Sequence, residues 1–68
     1  MSKLKAIRTA AGLSQKQLAE NAGVNARMVQ HYEQGFKDIN KAQVMIVYKL
    51  AQALGCSIED IIDIEKAL

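Results

Sequence analysis

Arg27, Gln30, His31 and Gln34 are spaced at i, i+3, i+4 and i+7, which would stack four long polar side chains along one stripe of a helix. Their chemistry suits the edges of base pairs. A guanidinium donates a bidentate pair to guanine O6 and N7, a glutamine amide matches adenine N6 and N7, and an imidazole donates to a base acceptor or a phosphate. Met28, Val29 and Tyr32 fall on the opposite side, so the segment has an apolar face for docking and a polar face left free to read. Ala26, at the head of the segment, is small enough to touch a thymine methyl, while Gln34 lies a turn late and ranks lower. Each of these residues has a competing role as ordinary solvated surface, and for His31 the two readings are nearly balanced.

The elements that would position this stripe are written locally. Ser14 and Gln17 have the S-x-x-Q spacing of a capping box, and Leu13 before the cap can staple onto Leu18, which predicts a helix carrying Leu18, Ala19 and Ala22 inward. Gly23 is the natural residue for a left-handed helix terminus. Asn25 then caps the next helix, Val24 can staple to Val29, and Gly35 ends it. Two helices joined by a tight glycine turn, the second displaying long polar side chains, form the pattern of a DNA-reading helix-turn-helix. Gln15 and Lys16 open the first of these helices and Asn25 the second, where backbone N–H groups and the helix dipole attract a phosphate. Lys37 and Lys41 flank the following loop and are placed to hold the neighbouring backbone.

Around this pair the pattern predicts three more helices. One runs from about Ser2 to Ala11, with Leu4, Ile7 and Ala11 on one face, and stops at Gly12. After a short loop from Phe36 to Ile39, Asn40 and Gln43 repeat the capping-box spacing, so a fourth helix is expected from Lys41 to Gly55. Its Val44, Met45, Ile46, Val47, Leu50, Ala51 and Leu54 cover more than half its girth, which places it in the middle of the core. Ser57 caps a fifth helix with Glu59 and Asp60 in its first turn, at the positive end of the dipole.

The 68 residues, half of them hydrophobic, without proline and rich in good helix formers, suit one small all-helical domain over 1–68. A chain of this size buries only about 60% of its extended surface, so a partner subunit is a plausible source of further stability. The net charge of +2 conceals an asymmetry: eight basic side chains against three acidic ones up to Cys56 give +5, whereas the last dozen residues hold four carboxylates and one lysine. That leaves an anion-facing side. A single cysteine forms no internal disulfide and no zinc cluster, and no apolar run approaches the length of a membrane span or a secretory signal, so a cytoplasmic protein is expected.

The segment LKAIRTAAGLSQKQLAENAGVNARMVQHYEQG, through the spacing of Leu4, Arg8, Gly12, Leu13, Ser14, Gln15, Leu18, Ala19, Gly23, Val24, Glu33 and Gly35, together with LAQALGCSIEDII, resembles the Cro/cI-type helix-turn-helix domains, also called the XRE family. That resemblance implies the five-helix lambda-repressor-like fold, helix 3 in the major groove, and a dimeric repressor acting on operators with two half-sites. It also implies that Arg27 lies at the groove and that Arg8 and Glu33 form an ion pair tying the first helix to the end of the third. Tyr32 departs from the aliphatic or small residue common at its position and is expected to pack inward with its hydroxyl at the rim.

Catalysis and cofactors find no support in the sequence. One histidine and one cysteine make no dyad, Cys56 beside Ile58 suits a buried small hydrophobe, and the C-terminal carboxylates read as a solvated face. Ile58, Ile61, Ile62, Ile64 and Leu68 form a stripe wider than one docking face needs, so Ile64 and Leu68 are candidates for a homodimer seam, or simply for a chain end folded over the core. The alternative to a DNA reader is a protein-interaction module or antitoxin-type partner that turns the polar or the terminal apolar stripe toward another protein.

Overall fold

A computed structural model describes residues 2–63 of the chain. Four α-helices follow one another: α1 (Lys3–Ala10), α2 (Gln15–Ala22), α3 (Ala26–Gln34) and α4 (Val44–Leu54), with single 3-10 turns at Ile39–Lys41 and Ile58–Asp60. No strand occurs among the described residues. The architecture is therefore the expected all-helical one.

The helix starts are set by side chains that satisfy otherwise orphaned backbone donors. Ser2 Oγ accepts the N–H of Lys5 at 3.2 Å, so Ser2 caps α1 and lies outside it. At α2 the box closes in both directions: Ser14 Oγ accepts from Gln17 N–H at 3.0 Å, and Ser14 N–H donates to Gln17 Oε1 at 2.8 Å. Asn25 Oδ1 accepts from Arg27 N–H at 2.7 Å. The turn between α2 and α3 depends on Gly23, whose φ of 71° is the left-handed region, while Val24 N–H returns to the Ala19 carbonyl at 3.0 Å.

Two expectations about the second half of the chain fail. Asn40 does not cap a helix beginning at Lys41. Asp38, two residues earlier, accepts the Asn40 N–H at 2.9 Å and starts a 3-10 turn, and α4 begins three residues later than expected, at Val44 after Gln43. The Asn40 amide is engaged elsewhere, in a reciprocal pair with the Asp63 backbone: its Nδ2 donates to the Asp63 carbonyl at 2.9 Å and its Oδ1 accepts the Asp63 N–H at 2.8 Å. Ser57 and Asp60 do mark the last element, with the Ser57 N–H and Oγ–H both donating to Asp60 Oδ2 at 3.0 Å, but that element is a 3-10 turn over the described residues, not a fifth α-helix.

The core joins Leu4 of α1, Leu18, Ala19 and Ala22 of α2, Val29 of α3, Val47, Leu50 and Ala51 of α4, and Ile61 beyond the last turn. α2 packs against both α3 and α4, and α1 against α3. α3 is thereby held by its Val29 side while its other side stays open. α4 is only partly central: Val44, Met45 and Tyr48 are 68%, 56% and 47% exposed. Its apolar excess does not correspond to depth in the core. Lys3 Nζ donates to the carbonyls of Glu59 at 3.3 Å and Ile62 at 2.9 Å, tying α1 to the segment after α4.

Candidate nucleic-acid interface

The outward stripe of α3 follows directly from the packing of its inward one. Val29 is fully buried and Tyr32 half-buried against the core, which turns Ala26, Arg27, Gln30 and Gln34 to solvent. The Arg27 guanidinium and the Gln30 amide have no hydrogen-bond partner among the described residues. Polar groups of this strength, held on a helix and unmatched within the described residues, are available to a polar ligand. His31 belongs to the same stripe but is half-buried, and the Phe36 ring forms a T-shaped pair with its imidazole at 5.7 Å between centroids and 71° between planes.

The residues named for phosphate contact lie at helix starts and in the connection after α3. Lys16 and Asn25 are exposed at the heads of α2 and α3, and Lys37 and Lys41 are exposed in the connection after α3. The Asn25 Oδ1 is used by the cap, which leaves its amide Nδ2 and the surrounding backbone available. Gln15 is more fully engaged. Its Nε2 donates to Glu33 Oε1 at 3.0 Å, so a phosphate contact there falls to the backbone N–H at the start of α2.

Behind the stripe, an ionic network locks α3 in place. Arg8 donates through Nε to Glu33 Oε2 at 2.6 Å, through Nη2 to Glu33 Oε1 at 3.0 Å, and through Nη1 to the Leu13 carbonyl at 2.7 Å. One guanidinium thus joins α1, the α1–α2 connection and the end of α3. The side chains are 13% and 2% exposed, so the pair is shielded from water. Hydrogen bonding to Glu33 holds the Arg8 guanidinium above its ordinary value, against the opposing effect of burial, and keeps it charged.

Burial, and then the Asp60 carboxylate, push the Cys56 thiol up, so it stays protonated and a poor nucleophile at neutral pH. No group of three or more potential metal ligands is clustered among the described residues, and no helix among them is long and apolar enough to cross a membrane. Ile64 and Leu68 lie outside the described residues. Two surfaces escaped the sequence reading. Phe36 falls in a connecting loop, where no periodicity marks an aromatic as functional, and Val44 and Met45, which the apolar pattern assigns to the core, are exposed together with Tyr48.

Two helices joined at a left-handed glycine, the second buried on one side and polar on the other, define a helix-turn-helix unit in a basic setting. The helix-turn-helix family model matches residues 4–61. The chain belongs to the Cro/cI-type, or XRE, helix-turn-helix family of DNA-binding transcriptional regulators. Among solved structures it is similar to the restriction-modification controller protein C.AhdI from Aeromonas hydrophila, with 33% identity and a TM-score of 0.76 over 85% of this chain and 83% of that one. The comparison with curated proteins gives no significant match.

Proposed function

We propose that the chain is a sequence-specific, cytoplasmic repressor that binds operator DNA as a homodimer, with α3 of each copy in a major groove and the two half-sites about 34 Å apart. The observation that carries this reading is the exposed Arg27–Gln30 face, unpartnered among the described residues, on a helix that packs inward through Val29 and Tyr32. Arg27 is the principal base reader, with Gln30, His31 and Ala26 beside it. Backbone groups at Gln15 and Asn25 and the ammonium groups of Lys16, Lys37 and Lys41 set the register on phosphates, which carry no sequence information directly. The likeness to a restriction-modification controller protein supports a role in controlling transcription.

A second copy is the occupant we assign to the exposed apolar side of α4. Val44, Met45 and Tyr48 lie at i, i+1 and i+4, a continuous face that a two-fold axis would pair with itself. The same face supports the second reading, a docking site for a different protein. Salt separates DNA reading from protein docking, because phosphate-driven binding weakens steeply as salt rises whereas apolar docking responds little.

Selection of bound sites from a random duplex pool at physiological salt, with wild type beside Arg27→Ala, tests the proposal. The expected result is a motif of two related half-sites that loses information at one base position per half-site in the variant, with the fold unchanged by circular dichroism. A single half-site would remove the dimer. No enriched motif at all would remove sequence-specific reading and leave the protein-docking module.

A further inference from the structure

Phe36 is the most exposed large hydrophobic side chain of the described residues, at 74%, and it lies immediately after the helix proposed to read DNA. Its position is well defined. Gly35 ends α3 in the left-handed region, and the N–H groups of both Phe36 and Lys37 donate to the His31 carbonyl, at 2.9 and 3.2 Å. The backbone following α3 is thus clamped to the residue whose ring Phe36 touches. The phenyl makes an edge contact with the imidazole, the T-shaped arrangement that aromatic quadrupoles favour.

The contact matters because of where His31 stands. An imidazole on an open helix surface samples several rotamers, and each points its N–H donors differently. A phenyl ring packed on one side removes part of that freedom before any ligand arrives, which lowers the ordering cost of a directional hydrogen bond. Phe36 gains little burial from the arrangement, so core stability does not account for its placement.

We infer that Phe36 is a positioning residue for DNA recognition: it orients the His31 imidazole, so that base preference at the position read by His31 depends on an aromatic side chain outside α3. The inference rests on the DNA-reading role of α3 proposed above. It predicts that Phe36 acts through His31 and not as an independent contact.

The test is a double-mutant cycle on the selected duplex, with each base in turn placed at every half-site position, using wild type, Phe36→Ala, His31→Ala, the double variant and Phe36→Tyr. Because Phe36 is so exposed, the alanine variant should remain folded, and thermal melting checks this. Phe36→Ala is expected to reduce the preference at the His31 position by roughly threefold to tenfold, the range spanned by an aromatic pair. His31→Ala should relax the same position, the double variant should be no worse than His31→Ala alone, and Phe36→Tyr should restore the preference. If Phe36→Ala leaves that position unchanged while His31→Ala relaxes it, or if the two losses multiply, the positioning role is overturned and base reading by α3 survives. If His31→Ala relaxes no position, the inference falls with the base-reading role of His31, and the Arg27-dependent position shows separately whether α3 reads DNA at all.

Discussion

The network behind α3 and the stripe in front of it are built from the same residue types put to opposite use. Arg8 and Gln15 direct their donors at Glu33 and, for Arg8, also at the Leu13 carbonyl, inside a site that water barely reaches. Arg27 and Gln30, earlier on the same helix, lie in solvent, their side-chain donors unmatched within the described residues. The difference shows how a domain this small divides its polar chemistry. Groups satisfied internally determine where α3 lies, and groups left unsatisfied determine what α3 can hold. A substitution on one side should therefore appear in stability and on the other in specificity.

The strongest way to break this division is Glu33→Ala. It leaves a shielded guanidinium and the Gln15 amide without their acceptor, and breaking a buried pair from one side costs about 3 to 5 kcal/mol. Total stability for a small domain is only about 5 to 15 kcal/mol, so the variant should lose a large part of its stability. Urea unfolding measures the loss. DNA binding should fall in proportion to the unfolded fraction, with the preferred motif unchanged among folded molecules. An unaltered urea midpoint would mean that the network contributes little and that α3 is held by Val29 and Tyr32 alone.

The two glutamines sharpen the comparison at a smaller scale. Gln15→Ala removes a hydrogen bond to a carboxylate, worth about 1.5 to 3 kcal/mol of stability, and should leave the motif intact because the N–H at the head of α2 remains. Gln30→Ala should leave the melting temperature unchanged and cost about 1 to 3 kcal/mol of discrimination at one base position. Thermal melts and competition binding, run on both variants, read the two axes together. If Gln15→Ala altered base preference as much as Gln30→Ala, the separation between frame and reader would not hold.

How much of this was legible in the sequence depends on how local each signal is. The caps at Ser14 and Asn25 and the glycine terminus at Gly23 each involve partners within a few residues, and all three appear where the spacing puts them. The inward and outward faces of α3 follow from helical periodicity for the same reason. Asn40 misled because its capping-box spacing is a local pattern, whereas its actual partner is the backbone of Asp63, 23 residues away, and Asp38 had already offered the cap. α4 misled differently. Hydrophobic pattern reports how much of a helix avoids water but does not distinguish its own core from another surface, so Val44 and Met45 read as depth although both are exposed. Phe36 gave no signal, since a single aromatic in a loop gains meaning only when folding places it against His31.

Lys37 supplies the smallest expected effect and the most specific one. Its ammonium is exposed beside the end of α3, in a connection whose Lys37 N–H is fixed to the His31 carbonyl at 3.2 Å. A lysine on a phosphate releases about one counterion, so Lys37→Ala should reduce the slope of log affinity against log salt by about one unit while weakening all sequences nearly equally. The fold and the base preferences should not move. This outcome would separate positioning from reading within a single interface, since Lys37 lies only a few residues beyond His31. A change in base preference with an unaltered salt slope would instead place Lys37 among the readers, and the division between the stripe and its surroundings would have to be drawn beyond Gly35.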